Sequence, residues 1–143
     1  MSHEDPETRA AGQRGFSLIE LLVVLVILGI IASLVVPNIL GKLTSAKVKA
    51  AGAQVTQLSS AVDAYYLDNG QLPEDLRDLV DEPADASFWN GPYVKEALLK
   101  DPWGHDWEYK VPGEQGRMYD ITSLGADNSP GGEGENADIH SWQ

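Results

Sequence analysis

The sequence predicts an α+β fold in which one very long N-terminal helix packs its second half against a small antiparallel sheet. Three observations predict it. No charged residue occurs from Leu21 to Gly41; apolar residues then recur at helical spacing as far as Tyr65; and two short alternating segments near the C-terminus flank a connection rich in proline and glycine.

Residues 1–14 are polar, and Gly15-Phe16-Ser17-Leu18-Ile19-Glu20 leads from them into the apolar run. At about 1.5 Å per helical residue, Phe16 to Val36 reaches roughly 31 Å, enough to cross a bilayer core. Length alone leaves three routes open. A secretory signal would be cut after the run, where Ile31-Ala32-Ser33 is a weak small-residue site; a plain anchor would stay uncut; or the cut would fall before the run. Glu20 favours the third. An ionisable group in lipid is costly, and a plain anchor has no use for one. Cleavage after Gly15 would create an ammonium on Phe16, four residues from that carboxylate. In a stack of helices the amine of one copy can then neutralise Glu20 of the next and set the register of assembly. This gives a leader over 1–15 and a long helix over 16–69, transmembrane over about 16–36.

The Gly15-Phe16-…-Glu20 pattern resembles the type III signal of type IV pilins and pseudopilins. The resemblance implies a glycine before the cut, an N-methylated phenylalanine after it, and a glutamate at the fifth mature position. It also implies a prepilin peptidase as processing partner.

Beyond the span, Val48, Ala51, Val55, Leu58, Val62 and Tyr65 lie three and four residues apart, with Lys47, Lys49, Gln54, Gln57 and Asp63 on other faces. An amphipathic helix follows, stopped by Asp68-Asn69-Gly70. Gly29 and Pro37 interrupt it. Proline lacks the donor for the carbonyl of Ser33, so a kink or local opening is expected there, and the resemblance implies loss of helix between the two in an assembled filament. Lys42, Lys47 and Lys49 form a solvated face or meet anionic headgroups.

Residues 70–143 form a head too small for a large core of its own, so it must borrow the apolar face of the helix. Leu72 to Val80 reads as a short helix with acids in its first turn and Leu76, Leu79 and Val80 as its buried edge. Trp89 to Tyr93 is a turn, and Val94 to Leu99 a single helical turn. Trp107 to Val111 and Arg117 to Leu124 alternate as strands, joined by Pro112-Gly113-Glu114-Gln115-Gly116. Leu72-Pro73, Asn90-Gly91-Pro92-Tyr93, Asp101-Pro102-Trp103-Gly104 and Ser123 to Asp127 together resemble the major pseudopilin family, protein G of type II secretion. With the N-terminal signal, that likeness touches almost the whole chain after the leader.

Chemistry concentrates in the acidic loop from Leu124 to Ile139. Its glycines let carbonyls converge, and Asp127, Asn136 and Asp138 supply hard oxygen donors of the kind calcium takes. Asp127 and Asp138 stand at the first and last places of a twelve-residue EF-hand loop. However, no helices flank it and its fifth position is Gly131, so an EF-hand is rejected. The resemblance implies one bound calcium, with Asp127 and Asp138 as carboxylate ligands, Leu124 as a carbonyl ligand, and Ser129 and Asn136 as further candidates.

The formal net charge of -12 repels phosphate backbones and makes nucleic acid a poor partner on electrostatics alone. There is no cysteine, so neither a disulfide nor a thiolate metal site is needed. His3, His105 and His140 share no ligand spacing, and no nucleophile elbow, phosphate loop or HExxH pattern occurs, so no enzyme is expected.

The resemblance implies a homo-polymer in the bacterial inner membrane, single-pass with a periplasmic head, forming a periplasmic filament that helps drive export of folded proteins. Minor pseudopilins and the inner-membrane secretion platform are its implied partners. Two other readings remain. A pilus subunit for adhesion or DNA uptake would favour a larger head, a cysteine pair and a basic face. A monomeric membrane-anchored calcium module would gain nothing from Glu20.

Overall fold

A computed structural model describes residues 15–143. The leader expected over 1–15 therefore lies outside the described residues, apart from Gly15. The chain divides into two compact units, Met1–Ile39 and Leu40–Gln143.

Helix α1 spans Leu18–Asn69. In the first unit its large apolar side chains are exposed from Leu18 to Val35. That is the pattern of a segment whose solvent is lipid, and these eighteen residues would rise about 27 Å. The helical assignment is unbroken across Gly29 and Pro37, so the local opening expected at Pro37 is not a feature of the single chain. Proline deletes one hydrogen bond, and those formed by the residues on either side carry the helix past it. Ser33 Oγ also donates to the Ile30 carbonyl at 2.7 Å, one turn back.

In the second unit, α1 turns the face carrying Ala51, Val55, Leu58, Val62 and Tyr65 into the core. The alternating steps of four and three residues keep those side chains on one stripe. Gly70 ends the helix in the left-handed region (φ 74°), where its N–H donates to the Tyr66 carbonyl at 2.8 Å. Only glycine adopts that geometry without strain.

Three strands form the sheet in the order β1-β2-β3: β1 Glu108–Lys110, β2 Asp120–Ser123 and β3 Ile139–His140, all antiparallel. Tyr109 pairs with Ile121, and Ser123 with Ile139. Every residue of the central β2 is buried. The strands are shorter than the alternation suggested, and β3 falls where sequence periodicity gave only a loop end. Two residues are too few to show a period, and only pairing with Thr122 and Ser123 makes them a strand.

The expected helix near Leu72–Val80 is a 3-10 turn over Leu76–Leu79. Asp75 caps it, accepting from the Arg77 N–H at 2.8 Å, while Asp78 reaches back to the N–H groups of Glu74 and Asp75. Leu76 and Leu79 are buried and Val80 partly so. Glu96–Leu99 forms a second 3-10 turn, and Trp107 donates its indole N–H to the Leu98 carbonyl at 3.0 Å. The β1–β2 connection is itself a short 3-10 turn, Glu114–Gly116, held by Asp120, whose carboxylate accepts from the Glu114 N–H at 2.8 Å and from both the Nε and a terminal nitrogen of Arg117.

Candidate functional site

Two regions carry the candidate chemistry, one in each unit. At the start of α1, Gly15, Phe16 and Ser17 are non-helical and exposed. Ser17 is the N-cap: its Oγ accepts from the Glu20 N–H at 3.2 Å, and Glu20 Oε2 accepts from the Ser17 N–H at 3.3 Å. This is a capping box, which satisfies two amide groups that have no partner in the first helical turn. Glu20 therefore has a task within its own chain, holding the helix N-terminus at the mouth of the apolar segment. Ser17 was missed as a functional residue, although Ser-x-x-Glu ahead of an apolar run is the sequence signature of this motif.

The C-terminal loop doubles back on itself. The Ala126 N–H donates to the Glu135 carbonyl at 2.8 Å. A Cβ on Gly125 would lie 2.7 Å from the Glu135 carbonyl oxygen, and one on Gly132 would lie 2.5 Å from that of Asn136. Both glycines have positive φ (70° and 93°), so they are required twice over, by conformation and by space. The carbonyls of residues 135–137 thus crowd where only glycine permits.

The candidate ligands are brought together in part. Leu124 and Asp138 line one cavity of about 250 Å³. Asp138 Oδ2 accepts from the Gly131 N–H at 2.9 Å, whereas its Oδ1 is buried with no hydrogen-bond partner. Asp127 is exposed and occupied locally, its Oδ1 accepting from the Ser129 N–H at 3.2 Å, and Ser129 Oγ donates to the Asp127 carbonyl. Asn136 lies in the turn opposite Gly132. Among the described residues, no three carboxylate or imidazole groups gather as a metal cluster. Any cation here would have to take main-chain carbonyls as well as carboxylates.

A buried carboxylate fixes the start of the loop. Asp101, with its side chain fully enclosed, accepts from the N–H groups of Trp103 (3.0 Å) and His105 (2.9 Å) and from Ser123 Oγ (2.7 Å). Ser123 Oγ in turn accepts from the Gly125 N–H, and His105 Nδ1 lies 3.2 Å from the Gly125 carbonyl oxygen. Serine, histidine and aspartate do meet here, but Ser123 is wholly buried and bonds the aspartate rather than the imidazole. A nucleophile needs exposure and a base on its own oxygen, so the arrangement is a structural tie.

Comparison with known proteins decides the family. The family model for protein G of the type II secretion system matches residues 38–142, and that for the prokaryotic N-terminal methylation motif matches residues 11–36. The chain belongs to the type II secretion system protein G family. It is 45% identical over 136 residues to the type II secretion system core protein G of Vibrio cholerae serotype O1, covering 91% of this chain and 92% of that one. It is 43% identical over 129 residues to the core protein G of Xanthomonas campestris pv. campestris, covering 90% of each. The crystal structure of the major pseudopilin from the type 2 secretion system of enterohaemorrhagic Escherichia coli matches with a TM-score of 0.59 at 33% identity, over 76% of this chain and 96% of that one. The chain is accordingly a structural subunit of a pseudopilus, with the α+β fold of a pseudopilin. Its apolar N-terminal helix and methylation motif fit a membrane-anchored protein.

Proposed function

We propose that this chain is cleaved between Gly15 and Phe16 by a prepilin peptidase, methylated on Phe16, and polymerised from the inner membrane into a periplasmic filament without catalysing any reaction. The filament, working with minor pseudopilins and the inner-membrane platform, helps drive folded proteins outward. One observation carries this reading. The helix from Leu18 to Val35 exposes its apolar side chains along its whole length and carries a single charged group, Glu20, four residues after Phe16 of the exposed Gly15–Phe16 pair. A carboxylate at the lipid boundary is tolerable when a neighbouring ammonium meets it. N-terminal sequencing of the mature protein tests the cut: methylated phenylalanine at Phe16 supports it, and an intact leader defeats it. Glu20→Gln should leave the protein in the membrane yet abolish filaments, and unchanged filaments would refute the pairing.

We further propose that the C-terminal loop binds one calcium ion. The partnerless Asp138 Oδ1, the shared cavity with Leu124, and the crowded carbonyls of residues 135–137 fit a hard cation with oxygen ligands. Asp138 and Asp127 would supply carboxylates, Leu124 a carbonyl, and Ser129 and Asn136 further oxygens. Bound calcium would neutralise the acids and tie the loop ends together. Chelator should lower the melting temperature, calcium should restore it, and Asp127→Ala should melt like chelated wild type. Identical melting curves with and without calcium would remove the proposal.

A further inference from the structure

Charge is segregated along the second unit. From Leu21 to Val62 the charged residues are Lys42, Lys47 and Lys49 alone, whereas from Asp63 to Val94 eight acids stand against the single cation Arg77. Lys42 and Lys49 are seven residues, about two turns, apart and so share one face of α1. Both are exposed, as are Ala46, Ala50 and Ala53 on the same face, so nothing bulky keeps another surface at a distance. Among the described residues none of these lysines forms an ion pair.

The acids gather at the other end. Glu74, Asp75, Asp78 and Asp85 line a single surface groove of about 200 Å³, with Tyr65 and Leu72 also in its wall and no lysine or arginine. Arg77 is engaged elsewhere, with Asp81 at 3.3 Å and Glu96 at 3.8 Å. The Tyr65 phenol is pushed above its ordinary pKa, first by burial and then by the charges of Asp78 and Asp85, so their fields converge on the groove wall.

We propose that the Lys42–Lys49 face of α1 in one copy docks on the Glu74/Asp75/Asp78/Asp85 groove of a second copy. The two patches cannot meet within one chain. Tyr65, on the groove wall, is 16 residues beyond Lys49 and 23 beyond Lys42 on the same helix, a separation of about 24–35 Å at 1.5 Å per residue. A contact between two different patches is heterologous, so it leaves a free patch of each kind after every addition and propagates rather than closing. The two copies joined in this way would be staggered by that same distance along α1, so they are not the adjacent copies whose Phe16 amine and Glu20 meet across about four residues, or about 6 Å, but copies further apart in the filament. The inference rests on the reading that the chain polymerises, and it names where the heads engage. Anionic lipid could occupy the lysine face, but it would leave the complementary groove unexplained.

The absence of cysteine makes disulfide trapping clean. In the full-length chain in membranes, Lys49→Cys combined with Asp85→Cys should give a ladder of multimers on oxidation, and Lys49→Cys combined with Glu108→Cys should not. Raising salt from 0.1 to 1 M, which shortens the screening length from about 10 to about 3 Å, should cut the ladder at least ~5-fold. Lys42→Glu with Lys49→Glu should suppress polymers, and adding Glu74→Lys with Asp85→Lys should restore them. Equal ladders from both cysteine pairs, or polymers unimpaired by reversing the lysines, would overturn the proposal. So would loss of polymers together with loss of binding to anionic vesicles and no rescue by the swap, which would assign the lysines to lipid. If wild-type protein forms no polymer, the assembly reading itself falls; if it polymerises while the Lys49/Asp85 pair stays unlinked, only this docking contact does.

Discussion

Asp101→Ala would remove the carboxylate on which two segments of the head converge. The wild-type side chain accepts three hydrogen bonds, from the Trp103 and His105 N–H groups and from Ser123 Oγ, and all three lie within 3.0 Å. Bonds to a charged acceptor contribute about 1.5–3 kcal/mol each, so their gross loss is roughly 5–9 kcal/mol. Relief of the buried carboxylate's desolvation and partial rescue of the donors by water offset part of that, leaving a net loss of about 3–4 kcal/mol. Against a typical stability of about 5–15 kcal/mol this is a large fraction. At about 4–8 °C per kcal/mol for a unit of this size, the melting temperature should fall by roughly 12–30 °C. The fragment 40–143 holds every residue of the buried core and all four tryptophans, so urea denaturation followed by tryptophan fluorescence reports the effect. A loss below about 1 kcal/mol would refute the claim that this carboxylate ties the Asp101–His105 turn to the 123–125 segment.

Leu58→Ala, at a fully buried position on the core stripe of α1, should cost about 3–4 kcal/mol in the same assay, because the rigid helix cannot collapse into the cavity. Gly125→Ala should destabilise the head by more than about 1 kcal/mol, as urea denaturation followed by tryptophan fluorescence would show, since the added Cβ meets the Glu135 carbonyl and the positive φ disfavours any side chain. Asp120 should make stability fall in acid. Arg117 foremost, then the Glu114 N–H, holds its carboxyl below the ordinary value, although burial opposes them. Its contribution is therefore complete above the ordinary carboxylate range near pH 4 and is lost as pH falls through the depressed value. Asp120→Asn should flatten that part of the pH–stability curve, as thermal melts between pH 2 and 6 would show.

The membrane segment and the core stripe were legible because both are written in local periodicity. Val55, Leu58, Val62 and Tyr65 had only one face on which to be buried, and the methylation-type signal is a contiguous string. The pseudopilin family was legible for the same reason, since turns such as Asp101-Pro102-Trp103-Gly104 are short and distinctive. The candidate loop was legible as composition but not as geometry. Its five proposed ligands are spread over fifteen residues, and nothing local states that Leu124 and Asp138 share a cavity while Asp127 turns to Ser129. The capping box at Ser17 was readable but was eclipsed by the assembly role given to Glu20.

Tertiary structure decided what depends on partners remote in sequence. Ile139 and His140 become a strand only beside β2, and the Tyr119 hydroxyl bonds Asp63 and the Ser59 carbonyl across some sixty positions. There, burial and the Asp63 charge push the phenol up to about 12. The Asp-Pro-Trp-Gly turn packs Trp103 against the core, and its aspartate is the centre of a buried network. A helix closes its hydrogen bonds four residues away, so the sequence by itself could determine α1 and its two solvents. The convergence of Asp101, Ser123 and Gly125, and of Glu74, Asp75, Asp78 and Asp85 on one groove, needed the chain's path in space, because no short-range rule relates residues brought together only by folding.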